Sequence, residues 1–237
     1  MNLCVIPARG GSKRIPKKNI KNFFGKPLIS YSIEAAKATG LFNRIVVSTD
    51  DEEIAEISRQ YGAETPFIRP SNISDDFTGL TSVIDHAVDF LENLGEKFDY
   101  VCTIYATAPF IKSKYLIEGY EALKNSDAIN AFASTSMPFP IQRTFKIDSK
   151  GRCKMFSPEY YNFRSQDLEA AYQDAGQFCW TNRNRQFQNE NKVVFSEISI
   201  PIIIPRNLVQ DIDTYEDWQQ AEFLFAAHQN VFNIDNE

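Results

Sequence analysis

Histidine is nearly absent from this chain: its 237 residues hold two, His86 and His228. His86 falls within a helical pattern and His228 near the C-terminal tail, so no Ser/His/Asp or Cys/His catalytic arrangement can be argued. The cysteines Cys4, Cys102, Cys153 and Cys179 lie far apart without a Cys-x-x-Cys pair. That spacing excludes an ordinary zinc site and favours reduced core thiols. No apolar run approaches the ~20 residues that a membrane helix needs. The opening Met1-Asn-Leu-Cys-Val-Ile lacks the basic start and long apolar stretch of a secretion signal, so a cytoplasmic location is expected. Neither Gly-x-x-x-x-Gly-Lys-Ser/Thr nor Gly-x-Gly-x-x-Gly occurs, which excludes a Walker A loop and disfavours a dinucleotide site. Trp180 and Trp218, the only two tryptophans, read as packing residues.

Positive charge is scarce overall, with a formal net charge of −6, yet it is concentrated in one place. A short apolar run, Leu3 to Pro7, reads as a buried strand. It breaks into Gly10-Gly11 and then collects Lys13, Arg14, Lys17 and Lys18 within a few residues of Arg9. In an open α/β sheet, ligands bind beyond the carboxyl ends of the strands. Glycines there let backbone N–H groups approach a phosphate, and a cation such as Arg9, buried near the strand end, needs an anionic partner. The loop is therefore a candidate polyphosphate site. Because these cations form a loop and not a broad face in an acidic chain, the composition argues against a general nucleic-acid binder.

A second cluster, Gln210-Asp-Ile-Asp-Thr214, follows the apolar run Ile198 to Ile204. In extended backbone, residues two apart point the same way, so Asp211 and Asp213 present two carboxylates to one side. Mg²⁺ is held in this manner, by one or two carboxylates plus substrate phosphates. The same residues also suit a helix start, with Asp213 or Thr214 as the cap.

Strand and helix patterns alternate along most of the chain, which predicts one α/β domain over residues 1–237. Helices are expected at Pro27 to Thr39, from Asp50 to Gly62, at Thr81 to Leu94, Ser113 to Lys124 and Tyr215 to Ala227. Strands are expected at Arg44 to Thr49, Glu64 to Ile68, Tyr100 to Tyr105, Ala128 to Thr135, Gly176 to Thr181 and Ile198 to Ile204. Between Met137 and Ala171 the alternation fails in a run of prolines, aromatics and turn residues, read as an inserted antiparallel flap. The tail after Gln229 is expected to fray.

These motifs resemble, nearly position by position, those of the acylneuraminate cytidylyltransferases, which activate nine-carbon acidic sugars as CMP derivatives. The likeness runs through Ile6-Pro-Ala-Arg-Gly-Gly-Ser-Lys-Arg-Ile-Pro-Lys-Lys-Asn19, Val46-Val-Ser-Thr-Asp50, Arg69-Pro70 and Asp211-Ile-Asp213, spanning essentially the whole chain. Arg164-Ser-Gln-Asp-Leu168 and Tyr172-Gln-Asp-Ala-Gly176 are similar to the pseudaminic acid branch. Where the sialic acid branch carries Arg-Pro-Asn-Gly and Gln-Pro-Thr-Ser-Pro-Leu-Arg, this chain has Gln173-Asp-Ala-Gly176 and Tyr105-Ala-Thr-Ala-Pro-Phe-Ile111. The departures fall at the sugar and leave CTP recognition intact.

The resemblance implies a Rossmann-like three-layer nucleotidyltransferase fold, with the segment at about 137–171 making a homodimer. It implies CTP and an acidic nine-carbon sugar as partners, Mg²⁺ as cofactor, and no nucleic acid or membrane. The nucleotide would be bound by Ala8, Arg9, Gly10, Gly11, Ser12, Lys18, Asn19, Arg69, Thr81 and Ser82. Arg9, Lys18, Asp211 and Asp213 would serve catalysis, the two aspartates as metal ligands. Tyr105, Arg164, Gln173, Asp174 and Gln177 are candidates for the sugar, with Arg164 favoured over Gln173 and Arg143 to face its carboxylate. Alternatives are the same reaction on N-acetylneuraminic, legionaminic or a 3-deoxy-octulosonic acid, and a non-catalytic CTP-binding regulatory module.

Overall fold

The computed structural model describes residues 1–189 and 193–231. Its centre is a six-stranded sheet of β1 (Asn2–Pro7), β2 (Arg44–Ser48), β3 (Tyr100–Ile104), β4 (Asn130–Ser136), β7 (Tyr172–Asn182) and β8 (Ser199–Ile203), in the order β8-β4-β7-β3-β1-β2. β1 runs parallel to both β2 and β3, and β8 runs parallel to β4. β7 lies antiparallel between β3 and β4. The chain leaves β1 toward β2 and returns to β3 on the other side, so β1 sits at the switch point where a crevice opens.

The helices are α1 (Leu28–Thr39), α2 (Glu52–Gln60), α3 (Leu80–Glu92), α4 (Ser113–Lys124), α5 (Arg183–Gln188) and α6 (Tyr215–Val231). Cys4, Ile6, Cys102, Ile104 and Trp180 on one sheet face bury with Ile33 of α1, Ile54 of α2 and Leu116 of α4. Leu3, Val5 and Val101 on the opposite face bury with Ala87, Val88 and Leu91 of α3. A third cluster joins Ile15, Phe23, Leu28, Phe110, Ile212, Trp218 and Ala221. Both tryptophans thus pack as expected. Among the described residues no helix is long and apolar enough to cross a membrane, and the four cysteines are free thiols.

Most predicted elements appear within a residue or two. The expected strand Glu64 to Ile68 shrinks to a single bridge between Val46 and Glu64, because Pro66 has no N–H to extend the ladder. β7 begins at Tyr172, earlier than expected, since Gly176 at φ 61° absorbs an irregularity in the pairing with β4 and lets the strand continue. α5 was not expected; Asn182 starts it by accepting from the Arg185 N–H at 3.1 Å. α6 runs to Val231, past Gln229, and the rest of the expected frayed tail lies outside the described residues.

Residues 137–171 leave the sheet after β4 and return as β7, at the same edge where the loops after β1 and β3 emerge. They contain a small antiparallel hairpin, β5 (Phe145–Ile147) and β6 (Cys153–Met155), with short helical turns. Phe139, Phe145, Ile147, Phe156 and Tyr161 stand exposed on this segment.

Candidate active site

The phosphate loop grows directly from the sheet. The Ala8 N–H still bonds Ser48 of β2 at 2.9 Å, and the chain then turns. Gly10 donates its N–H to Asp50 Oδ1 at 2.9 Å. A Cβ on Gly10 would lie 2.7 Å from the Asp51 carboxylate, so only glycine fits against the start of α2. Space is open beside Gly11. Asn19, buried beneath the loop, donates to the Arg9 carbonyl at 2.9 Å and holds its backbone. The Gly10 N–H is thus engaged by a carboxylate.

The expected burial of Arg9 is corrected. Its side chain is 41% exposed, not buried, and bonds Asp76 at 2.5 Å and the Asp75 carbonyl at 3.2 Å. Lys13 shares the same Asp76 carboxylate. The buried arginine is Arg69, whose side chain is 3% exposed. It donates to Ser74 Oγ at 3.1 Å and the Ser48 carbonyl at 3.4 Å, and its Nη2 stands 3.6 Å from Asp50. Burial pulls the Arg69 pKa down and Asp50 opposes that shift.

The carboxylate cluster meets this loop. Ile212 is fully buried with Ile15 and Trp218, which pins the backbone between the two aspartates to the far end of the basic loop. Lys18 donates to the Ile212 carbonyl at 2.5 Å and lies 3.3 Å from Asp213. Arg14 pairs with Asp213 at 2.9 Å. Helix capping falls to others: Thr214 Oγ accepts from Asp217 N–H at 3.2 Å, and Asp217 accepts from the N–H groups of Thr214 at 2.7 Å and Asp213 at 3.1 Å. The Asp213 carboxylate is therefore spared for the cleft. Desolvation, then the neighbouring Asp213 charge, pushes the Asp211 carboxyl above the ordinary range.

Arg9, Ser12, Lys18, Asn19 and Asp213 line one cavity of about 440 Å³. Tyr105, at the end of β3, belongs to it and also to a second cavity of about 320 Å³. The second lies over the α3 side of the sheet, lined by Thr81, Phe132, Asp174, Cys179 and Arg183 among others. Burial, reinforced by Asp174, lifts the Tyr105 phenol to about 12, so it stays a neutral hydrogen-bond donor.

Several expected residues fall elsewhere. Ser82 faces a different pocket beside His86, because consecutive helical positions diverge by roughly 100°. Gln177 is buried and donates to the Leu208 carbonyl at 2.6 Å, bracing the loop that leads to Asp211, and lines neither cavity. Arg164 is exposed and bound to Asp167 at 2.7 Å, and Arg143 contacts Ser165 at 3.3 Å. Neither arginine lines the cavities, since the flap projects from the sheet edge. Gln173 lies in a shallow groove with Phe132, Ser134 and Tyr172, next to Asp174. Sequence reasoning missed Asp76 and gave Asp50, named only as part of a motif, no role of its own; its signal was an acidic residue just beyond a strand that pairs with β1.

Two hard oxygen donors, repelling each other beside a cationic loop, suit a divalent cation completed by phosphates. Among the described residues no group of three His, Cys, Asp or Glu could hold a metal by itself. Asp211 and Asp213 are the residues that could hold such a cation, with phosphate oxygens as its further ligands.

The cytidylyltransferase family model matches residues 3–223. A pseudaminic acid cytidylyltransferase of Campylobacter jejuni is 44% identical over 232 residues, covering 98% of this chain and 99% of that protein. A CMP-N,N'-diacetyllegionaminic acid synthase of Legionella pneumophila is 33% identical, covering 97% and 98%. The solved structure of CMP:2-keto-3-deoxy-manno-octonic acid synthetase with CTP shares the fold, with a TM-score of 0.68 at 17% identity over 96% of this chain and 99% of that one.

Proposed function

We propose, since the chain belongs to the cytidylyltransferase family, that it transfers CMP from CTP to the anomeric hydroxyl of pseudaminic acid and releases pyrophosphate. The observation that carries this reading is the joining of the cationic loop and Asp213 around one cavity that adjoins a second at Tyr105. The triphosphate fits the first and an acceptor the second. The 44% identity to a protein bearing that activity supports pseudaminic acid over its relatives.

In this mechanism the sugar oxygen bonds the α-phosphorus, the bond from that phosphorus to pyrophosphate breaks, and the hydroxyl proton leaves to solvent. Catalysis is then mainly positioning and charge stabilisation. Lys18, fixed by Ile212 and Asp213, and Arg9, released from Asp76, neutralise the phosphate oxygens. Ser12 and Asn19 shape the loop that receives them. Arg69, which lines neither cavity, is given the nucleoside side; Tyr105 and Asp174 are given the acceptor, together with Thr81, which the sequence reading had given to the nucleotide. Asp211 and Asp213 would hold Mg²⁺, which when bound supplies charge neutralisation at the triphosphate. The enzyme is placed in the cytoplasm, where CTP is supplied, and the apolar flap around Phe145 and Ile147 is assigned to a homodimer contact.

A pyrophosphate-release assay with CTP, Mg²⁺ and a panel of sugars tests this. Pseudaminic acid should be turned over faster than N-acetylneuraminic or legionaminic acid. Preference for either of those would reassign the acceptor, and CTP binding without release on any sugar would leave a regulatory module.

A further inference from the structure

Asp50 and Asp51 are consecutive acidic residues that would both pass for helix-start charges, yet they do different work. Asp51 Oδ1 accepts from the N–H groups of Glu53 at 2.8 Å and Ile54 at 3.1 Å and so caps α2. Asp50 takes no part in the cap. It lies just beyond Ser48, which is paired in register with Pro7, so the ends of β1 and β2 bring it under the phosphate loop.

We propose that Asp50 is a positioning residue for nucleotide binding: one carboxylate oxygen sets both the phosphate loop and the guanidinium of Arg69. That oxygen accepts the Gly10 N–H at 2.9 Å and stands 3.6 Å from Arg69 Nη2. The first contact clamps a backbone already wedged against Asp51. The second balances the charge of a guanidinium that is 3% exposed. At 3.6 Å the attraction is Coulombic and longer than a hydrogen bond. Nη2 is thereby charge-balanced without being taken up in a hydrogen bond to Asp50. The Arg69 Nε and Nη1 are already committed to Ser74 and the Ser48 carbonyl. Asp50 thus couples the triphosphate side of the cleft to its nucleoside side.

This inference rests on the CTP-dependent function proposed above, and the sign of one effect separates it from a bystander role. A bystander carboxylate beside a polyanion site only repels the ligand, so removing its charge would tighten binding. A positioning carboxylate predicts weaker binding. Asn at position 50 still accepts the Gly10 N–H but no longer balances Arg69, so D50N isolates the second contact.

Calorimetric titration of CTP with Mg²⁺ into wild type, D50N, R69M and D50N/R69M decides the matter. D50N should weaken CTP about 10-fold, with the acceptor KM unchanged, and should cost little further affinity once Arg69 is gone. D50A, losing both contacts, should weaken CTP further; should it fail to fold, the isosteric D50N still carries the test. CTP affinity in D50N equal to or above wild type, or an identical loss in the R69M background, would overturn the proposal. Wild-type protein that binds CTP but turns over no sugar would overturn the functional reading alone, and wild type that does not bind CTP would overturn both.

Discussion

Around the phosphate loop nearly every charged side chain is held by a partner from a distant part of the chain. Arg9 and Lys13 rest on Asp76, Arg14 and Lys18 on Asp213, Arg69 on Asp50. In the flap the ion pair and the Asp148 turn are local, Arg164 meeting Asp167 while Lys150 and Arg152 donate their backbone N–H groups to Asp148, and the longer contact of Arg143 with Ser165 stays within the segment. The apolar residues differ in the same way. Ile15 and Ile212 are fully buried beneath the loop, whereas Ile147 of the flap is 70% exposed. The cleft proposed for the nucleotide is therefore held by contacts within one chain. The flap leaves Phe145 and Ile147 exposed, and the proposed homodimer would cover them.

The largest test of that contrast lies in the nucleotide half. K18A and D213N should each lower kcat by roughly 10²–10³ with an unchanged circular dichroism spectrum, the usual cost of removing one preorganised charge contact. Near-normal turnover would detach those residues from the chemistry.

The carboxylate pair proposed to hold the metal predicts a pH dependence. The Asp211 carboxyl, raised by desolvation and by Asp213, binds its proton more tightly in the folded protein than in the unfolded chain. Its contribution to metal-free stability is thus greatest at low pH and is lost as pH rises through its folded value. A divalent cation relieves the same repulsion, so Mg²⁺ should raise the melting temperature more on the alkaline side of the Asp211 titration than on its acid side. Calorimetry on D211N should show that difference gone.

In the flap, the pair F145D/I147D should abolish the dimer in sedimentation velocity while CTP affinity stays at the wild-type value. A protein that is monomeric before mutation would break the comparison at its root. Asp76 supplies a smaller effect of opposite sign. D76N frees Arg9 and Lys13, so CTP should bind about 3-fold tighter at low salt, with the gain fading as salt rises. Smallest is R164A, whose guanidinium is already committed to Asp167 on an exposed turn. It should change stability by less than about 0.5 kcal/mol and the acceptor KM by less than about twofold. A large rise in that KM would bring the flap into the acceptor site.

Much of this was legible before any coordinates, where local chemistry is decisive. The buried strand Leu3 to Pro7, the ends of α1 and α4, and the break in alternation at Met137 follow from side-chain periodicity and turn residues. Those signals are properties of neighbours in sequence, which chain connectivity makes adjacent in space. The residue types of both charged poles were equally plain.

Their environments were not. Arg9 and Arg69 look alike as letters, and only packing exposes the first and buries the second. The same holds for Gln177, a polar residue on a strand that a neighbouring carbonyl turns into a brace. The amino acids alone determined which charges this protein carries and which elements bear them. The tertiary structure decided which charges meet, because pairing Lys18 with Asp213 requires Ile15 and Ile212, nearly two hundred residues apart, to bury in one cluster.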